Sequence, residues 1–106
     1  MIYDKLVRDK IPDILGAKGL AYRVRTLADA EYRQRLRQKL NEEVAEFHAA
    51  ETRSAVLEEL ADILEVLYAL AAAEGFSRAD LETRAEEKRA ERGGFEHRIL
   101  LVEVHE

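Results

Sequence analysis

Between Leu36 and Leu70 apolar residues recur at helical spacing through two consecutive runs, and only a short polar patch, Glu51 to Ser54, separates them. That pattern has few folded solutions. A gap so short joins two helices as an antiparallel hairpin, and each apolar stripe must then close against a neighbour. Leu36, Leu40, Val44 and Phe47 form the first stripe; Val56, Leu60, Ile63, Leu64 and Leu67 form the second. Carboxylates repeat beside both, as Glu42, Glu43 and Glu46 in LNEEVAEF and as Glu58, Glu59 and Asp62 in LEELADIL. Residues three or four apart share a helix face, so Glu43 goes with Glu46 and Glu59 with Asp62. If the hairpin packs along its stripes, these four carboxylates rim one side of the seam.

Acidic flanks are also the ordinary surface of an amphipathic helix, because Glu is a strong helix former. A doubled pattern on facing helices is different, since like charges brought that close repel unless something positive lies between them. A hard divalent cation with oxygen ligands, magnesium or manganese, meets that need. Other chemistries are excluded. The chain has no cysteine, so thiol catalysis, disulfides and sulfur-ligated zinc are ruled out. His48, His97 and His105 lack the spacing of a helical zinc site, and no phosphate-cradling glycine loop occurs. Metal-assisted hydrolysis by carboxylates remains.

With 106 residues the chain reads as one domain, 1–106, with one modest core. Charged residues make up 37% of it, which suggests thin apolar stripes completed by a partner subunit. A net charge of -5 argues against nucleic-acid or membrane partners. The opening MIYDKLVRDKI is neither signal peptide nor anchor, and a cytoplasmic location is expected.

The expected fold class is mainly α, an antiparallel helical bundle with a minor two-stranded β element. Long helices are predicted over 28–50, 55–74 and 78–92. Thr26 or Asp29 is the expected cap of the first and Ser54 of the second, with Gly75 as its stop. Ser77 and Asp80 make a capping box for the third, which carries little apolar surface beyond Leu81 and Ala85. The first helix has a basic first half and an acidic second half, against the macrodipole preference. Residues 22–27 alternate and residues 97–104 are rich in Ile, Leu and Val, so they read as paired short strands. Pro12 starts a helical turn or two ended by Gly16 or Gly19, and Phe95 is expected to fold back on the core. Lys5, Arg8 and Lys10 form a basic patch ahead of Pro12.

Taken together, the motifs resemble a known family, the MazG-like all-alpha nucleoside triphosphate pyrophosphohydrolases. Its signature, Glu-Glu-x-x-Glu followed by Glu-x-x-Asp on the next helix, reads here as Glu42, Glu43 and Glu46, then Glu59 and Asp62. KLVRDKIP at 5–12, EELADILEVLYAL at 58–70 and KRAERGGFEHRILL at 88–101 are similar to blocks of its phosphoribosyl-ATP pyrophosphohydrolase-like subgroup. The resemblance implies a metal-dependent enzyme, a homodimer or higher oligomer such as a tetramer. Such an enzyme splits a nucleoside triphosphate between the alpha and beta phosphates to give a monophosphate and pyrophosphate. It further implies magnesium held by Glu43, Glu46, Glu59 and Asp62, with Glu42 as an accessory acid. Glu43 and Glu46 are equal candidates for activating water. Lys5, Arg8, Lys10, Lys88 and Arg92 are the candidate phosphate clamps. Two other classes fit the same residues: a non-catalytic nucleotide- or metal-binding regulatory module, and a structural helical dimerisation domain.

Overall fold

The computed structural model describes residues 2–106. Four helices follow in order: α1 (Ile11–Ala17), α2 (Asp29–Ala49), α3 (Arg53–Ala73) and α4 (Arg78–Arg92). The hairpin of α2 and α3 is the body of the molecule, and α4 packs on α3. No described helix is long and apolar enough to cross a membrane.

Local chemistry sets each boundary. Pro12 lies in the first turn of α1, where a missing N–H costs nothing. That helix ends with Gly19 at a φ of +75°, the Gly19 amide bonded to the Gly16 carbonyl and the Leu20 amide to the Leu15 carbonyl. A left-handed residue is what this paired closure requires, and glycine takes it without a Cβ penalty. The end of α3 repeats the device: Gly75 has a φ of +87°, and the amides of Gly75 and Phe76 reach the carbonyls of Ala72 and Ala71. At the start of α4 the Ser77–Asp80 capping box forms in both directions. The cap of α3 is Thr52, whose Oγ1 accepts from the Ala55 amide at 3.0 Å, and Ser54 lies inside the helix. Helix α2 has no side-chain cap; Ala28 occupies that position, and Asp29 is already helical. Asp29 and Glu31 in its first turn and His48 in its last do suit the macrodipole, which acts only near helix ends.

The hairpin is rotated relative to the expected stripes. Leu36 and Val66 are the buried apolar residues, at 3% and 7% exposure. Leu57, Leu60, Leu64 and Leu67 lie on the opposite, exposed side of α3. Helix α3 therefore has two apolar faces, and the one carrying Glu59, Ile63 and Val66 meets α2. Of the leucines of α3, only Leu70 is not exposed. The radius of gyration, 18.1 Å, exceeds the roughly 13 Å of a compact chain this long.

The expected two-stranded β element is absent among the described residues, where neither 22–27 nor 97–104 forms a ladder. Alternation supplies strand propensity but no partner edge. The first segment is held elsewhere: Arg25 donates two bonds to Glu31 of α2, at 2.9 and 2.7 Å. The second leaves α4 through Gly93, and Ile99, Leu100, Leu101, Val102 and Val104 are all exposed. Phe95 does not return to the core, since it is 96% exposed. Ala85 is exposed as well, leaving Leu81 as the half-buried residue of α4.

Candidate metal centre

Rotation of the hairpin moves two of the carboxylates, Glu43 and Glu59, from the rim of the seam into it. Glu43 of α2 is buried, at 5% exposure, while Glu59 of α3 is half-buried and Glu46 exposed. One oxygen from each of these three lies within 4.8 Å of the others. Lys39, one turn before Glu43, brings its Nζ to 3.3 Å from Glu43 Oε1. The second oxygen of Glu43 and the corresponding Oε2 of Glu59 are shut off from solvent and accept no hydrogen bond among the described residues. Orphaned buried acceptors are costly. Three carboxylates against one lysine leave the cluster short of positive charge.

The electrostatics follow from that shortage. Burial, then the neighbouring Glu46 and Glu43 carboxyls, pushes the Glu59 carboxyl up to about 7. Burial first, and Glu46 second, raises Glu43 as well, against the opposing pull of Lys39. A proton shared between facing oxygens is one way to relieve such a cluster. A divalent cation is the other, and hard oxygen donors converging from two helices are the donor set it takes. The orphaned oxygens of Glu43 and Glu59 fit a cation on this observation.

Asp62 stands apart from the trio. Its Oδ1 accepts from Arg8 Nη2 at 2.7 Å. Glu42 is likewise taken, with its Oε1 at 3.2 Å from Lys5 Nζ. The N-terminal segment thus lies across the hairpin as a strap that touches both helices. Its beginning is anchored by Arg35, which donates to the Asp4 carbonyl at 3.0 Å and to Asp4 Oδ1 at 3.2 Å. Leu6 and Ile11 of the same segment are half-buried. Of the basic residues singled out in the sequence, Lys5 and Arg8 reach the acidic face. Lys10, Lys88 and Arg92 are exposed and form no ion pair among the described residues. Two polar side-chain contacts of α4 with α3 come from its first half: Tyr68 donates to Glu82 at 2.9 Å, and the Arg78 guanidinium lies 3.9 Å over the Tyr68 ring.

Two participants, Lys39 and Arg35, are not among the candidate site residues read from the sequence. Lys39 was legible in principle, because four residues separate it from Glu43 on one helix face. Arg35 was not, since its partner Asp4 is 31 residues away in the chain.

The hairpin defines an all-α protein that gathers carboxylates from both of its arms. Residues 20–89 match the family model of phosphoribosyl-ATP pyrophosphohydrolase, a span that takes in α2, α3 and most of α4. The chain belongs to that pyrophosphohydrolase family. It is also similar to a Mycolicibacterium smegmatis protein described as uncharacterized, at 54% identity over 54 residues. The match covers 51% of this chain and 55% of the relative, so it spans about half the relative's length. No solved structure matches the chain.

Proposed function

We propose that the protein is a magnesium-dependent nucleoside triphosphate pyrophosphohydrolase, cleaving between the alpha and beta phosphates to release a monophosphate and pyrophosphate. The observation that carries this reading is the pair of solvent-excluded oxygens on Glu43 and Glu59 that have no hydrogen-bond partner among the described residues, in side chains that converge with Glu46. Glu43, Glu46 and Glu59 would hold the cation, with Asp62 as a further oxygen donor on the same helix face as Glu59. When bound, magnesium supplies the positive charge that triphosphate and departing pyrophosphate require. Glu46, exposed at the edge of the trio, is placed to accept a proton from the attacking water and return it to solvent. Glu43 is buried beside Lys39 and serves better as a fixed ligand. Lys5 and Arg8, already over the acidic face, offer charge-assisted bonds to phosphate oxygens.

The direct test incubates purified protein with a panel of triphosphates and phosphoribosyl-ATP, with and without magnesium, and scores pyrophosphate separately from orthophosphate. Magnesium-dependent pyrophosphate release from at least one nucleotide is expected. Nucleotide binding without release would mark a regulatory module, and indifference to magnesium a structural helical domain.

The assembly belongs to the same proposal. Leu57, Leu60, Leu64 and Leu67 form an exposed apolar ridge on the outer side of α3, 38–68% exposed. A second copy of the chain covers it, as dimer or tetramer. Light scattering should therefore give a mass well above the 12.1 kDa of one chain.

A further inference from the structure

Arg8 ties the N-terminal strap to the acidic face of the hairpin. Its guanidinium is bonded to Asp62, the one of the four expected metal ligands that stands outside the converging trio of Glu43, Glu46 and Glu59. Glu59 and Asp62 are three residues apart and share a helix face, so Asp62 is the natural fourth donor to whatever the trio holds. Arg8 Nη2, 2.7 Å from Oδ1, occupies one of its two oxygens, and the carboxylate lies outside the trio. A cation and a guanidinium on one carboxylate also repel each other.

The geometry points to Arg8 as a resident counter-ion that loading of the site evicts and that then turns to the phosphates of the incoming nucleotide. This inference rests on the proposed metal site and concerns how the chain's own N-terminal strap answers to it. The backbone of the strap need not leave. Arg35 holds Asp4 by both its carbonyl and its carboxylate, and Leu6 and Ile11 are half-buried on either side of Arg8. Asp4 itself adopts a φ of +46°, a left-handed turn that Asp tolerates better than most residues. Anchored in this way, the strap keeps Arg8 within reach of the acidic face while its side chain, 56% exposed, is free to swing. Lys5 on Glu42 is a second contact of the same kind nearer the anchor.

One substitution then has opposite effects on two ligands. Metal alone competes with Arg8, so Arg8→Ala should bind magnesium more tightly. An exposed ion pair is a weak competitor, and the gain should be about two- to fivefold. With magnesium saturating, a polyphosphate gains Arg8 as a donor, so the same variant should bind it more weakly, by roughly tenfold or more. Arg8→Lys, retaining charge but not the planar fork, should fall between wild type and Arg8→Ala in both measurements.

Isothermal titration with magnesium alone, and with inorganic tripolyphosphate at saturating magnesium, tests this without knowledge of the base or any turnover. Circular dichroism confirms that the variants keep the wild-type helix content. Tighter magnesium and weaker tripolyphosphate in Arg8→Ala support the exchange. Equal magnesium affinity in wild type and Arg8→Ala overturns it while leaving the metal site intact. Tighter magnesium with unchanged tripolyphosphate also overturns it, because Arg8 would then be a counter-ion only. No magnesium binding in either protein removes the metal reading, and the exchange falls with it.

Discussion

Replacing Glu43 by Gln separates a metal ligand from a structural carboxylate. The substitution keeps shape and volume, removes one negative charge, and provides an amide N–H₂ beside the Glu46 and Glu59 carboxylates. In wild type without metal, Glu43 Oε2 is buried with no donor to accept from, a defect that typically costs about 1–3 kcal/mol. Against this, the variant weakens the bond to Lys39, but its amide oxygen still accepts from the ammonium, so the loss is about 1 kcal/mol or less. The balance favours the variant by about 1–2 kcal/mol. For a domain of this size that raises Tm by roughly 4–15 °C in chelator. Magnesium should reverse the order. At one hundred times its Kd, a ligand specific for the folded state adds about 2.7 kcal/mol to the wild type, and the variant, lacking a donor, gains much less. Differential scanning calorimetry at one fixed protein concentration, in chelator and in magnesium, reads both comparisons. A Glu43→Gln variant of wild-type helicity that melts lower in chelator, and gains the same increment from magnesium, would refute the reasoning. Glu43 would then be a structural partner of Lys39.

Three further outcomes are expected. Metal-free protein should lose stability as pH rises from about 5 to about 8. Glu59 binds its proton more tightly folded than unfolded, so its contribution is complete below the ordinary value of 4.5 and lost through about 7. Glu43 acts in the same direction, and saturating magnesium should flatten the slope; a Tm that climbs with pH in chelator would contradict this. Thr52→Ala removes the cap of α3 and should cost about 1 kcal/mol, seen as a lower Tm and not as lower pyrophosphate release per folded molecule. Leu64→Glu, on the outer ridge at 46% exposure, should lower the mass seen by sedimentation towards 12.1 kDa without loss of helicity. An unchanged mass would place the subunit contact elsewhere.

Helices were the most legible part of the sequence, because periodicity, glycine stops and the Ser77–Asp80 box all act within a few residues. The cap of α3 shows where local reading gives out. Thr52 and Ser54 are both good caps, and which one is used depends on where the chain turns out of α2. Choosing the faces was harder. Val66 and Leu64 belong to different apolar faces of α3, and spacing alone does not say which closes within the subunit. The same ambiguity moved Glu43 from a seam's rim to its interior, and with it the electrostatic character of the site. Charges distant in sequence could not be paired at all: Arg8 with Asp62, 54 residues apart, and Asp4 with Arg35. The strands at 22–27 and 97–104 were overread, since strand-forming residues specify a ladder only when a second edge is available.

Only residues 50–52 separate α2 from α3, which makes that loop a gauge for the site. Glu46 lies four residues before Ala50 and Glu59 seven after Thr52, so the turn fixes the phase at which the two helices present their acids. One residue added to α3 ahead of Glu59 would swing that carboxylate about 100° around the axis and shift it about 1.5 Å along it. Every ligand would still be present in such a chain, yet the set would be scattered. The count of residues between the two acidic motifs is therefore itself a chemical requirement, independent of what those residues are. Lengthening the exposed tail after Gly93 changes no such phase.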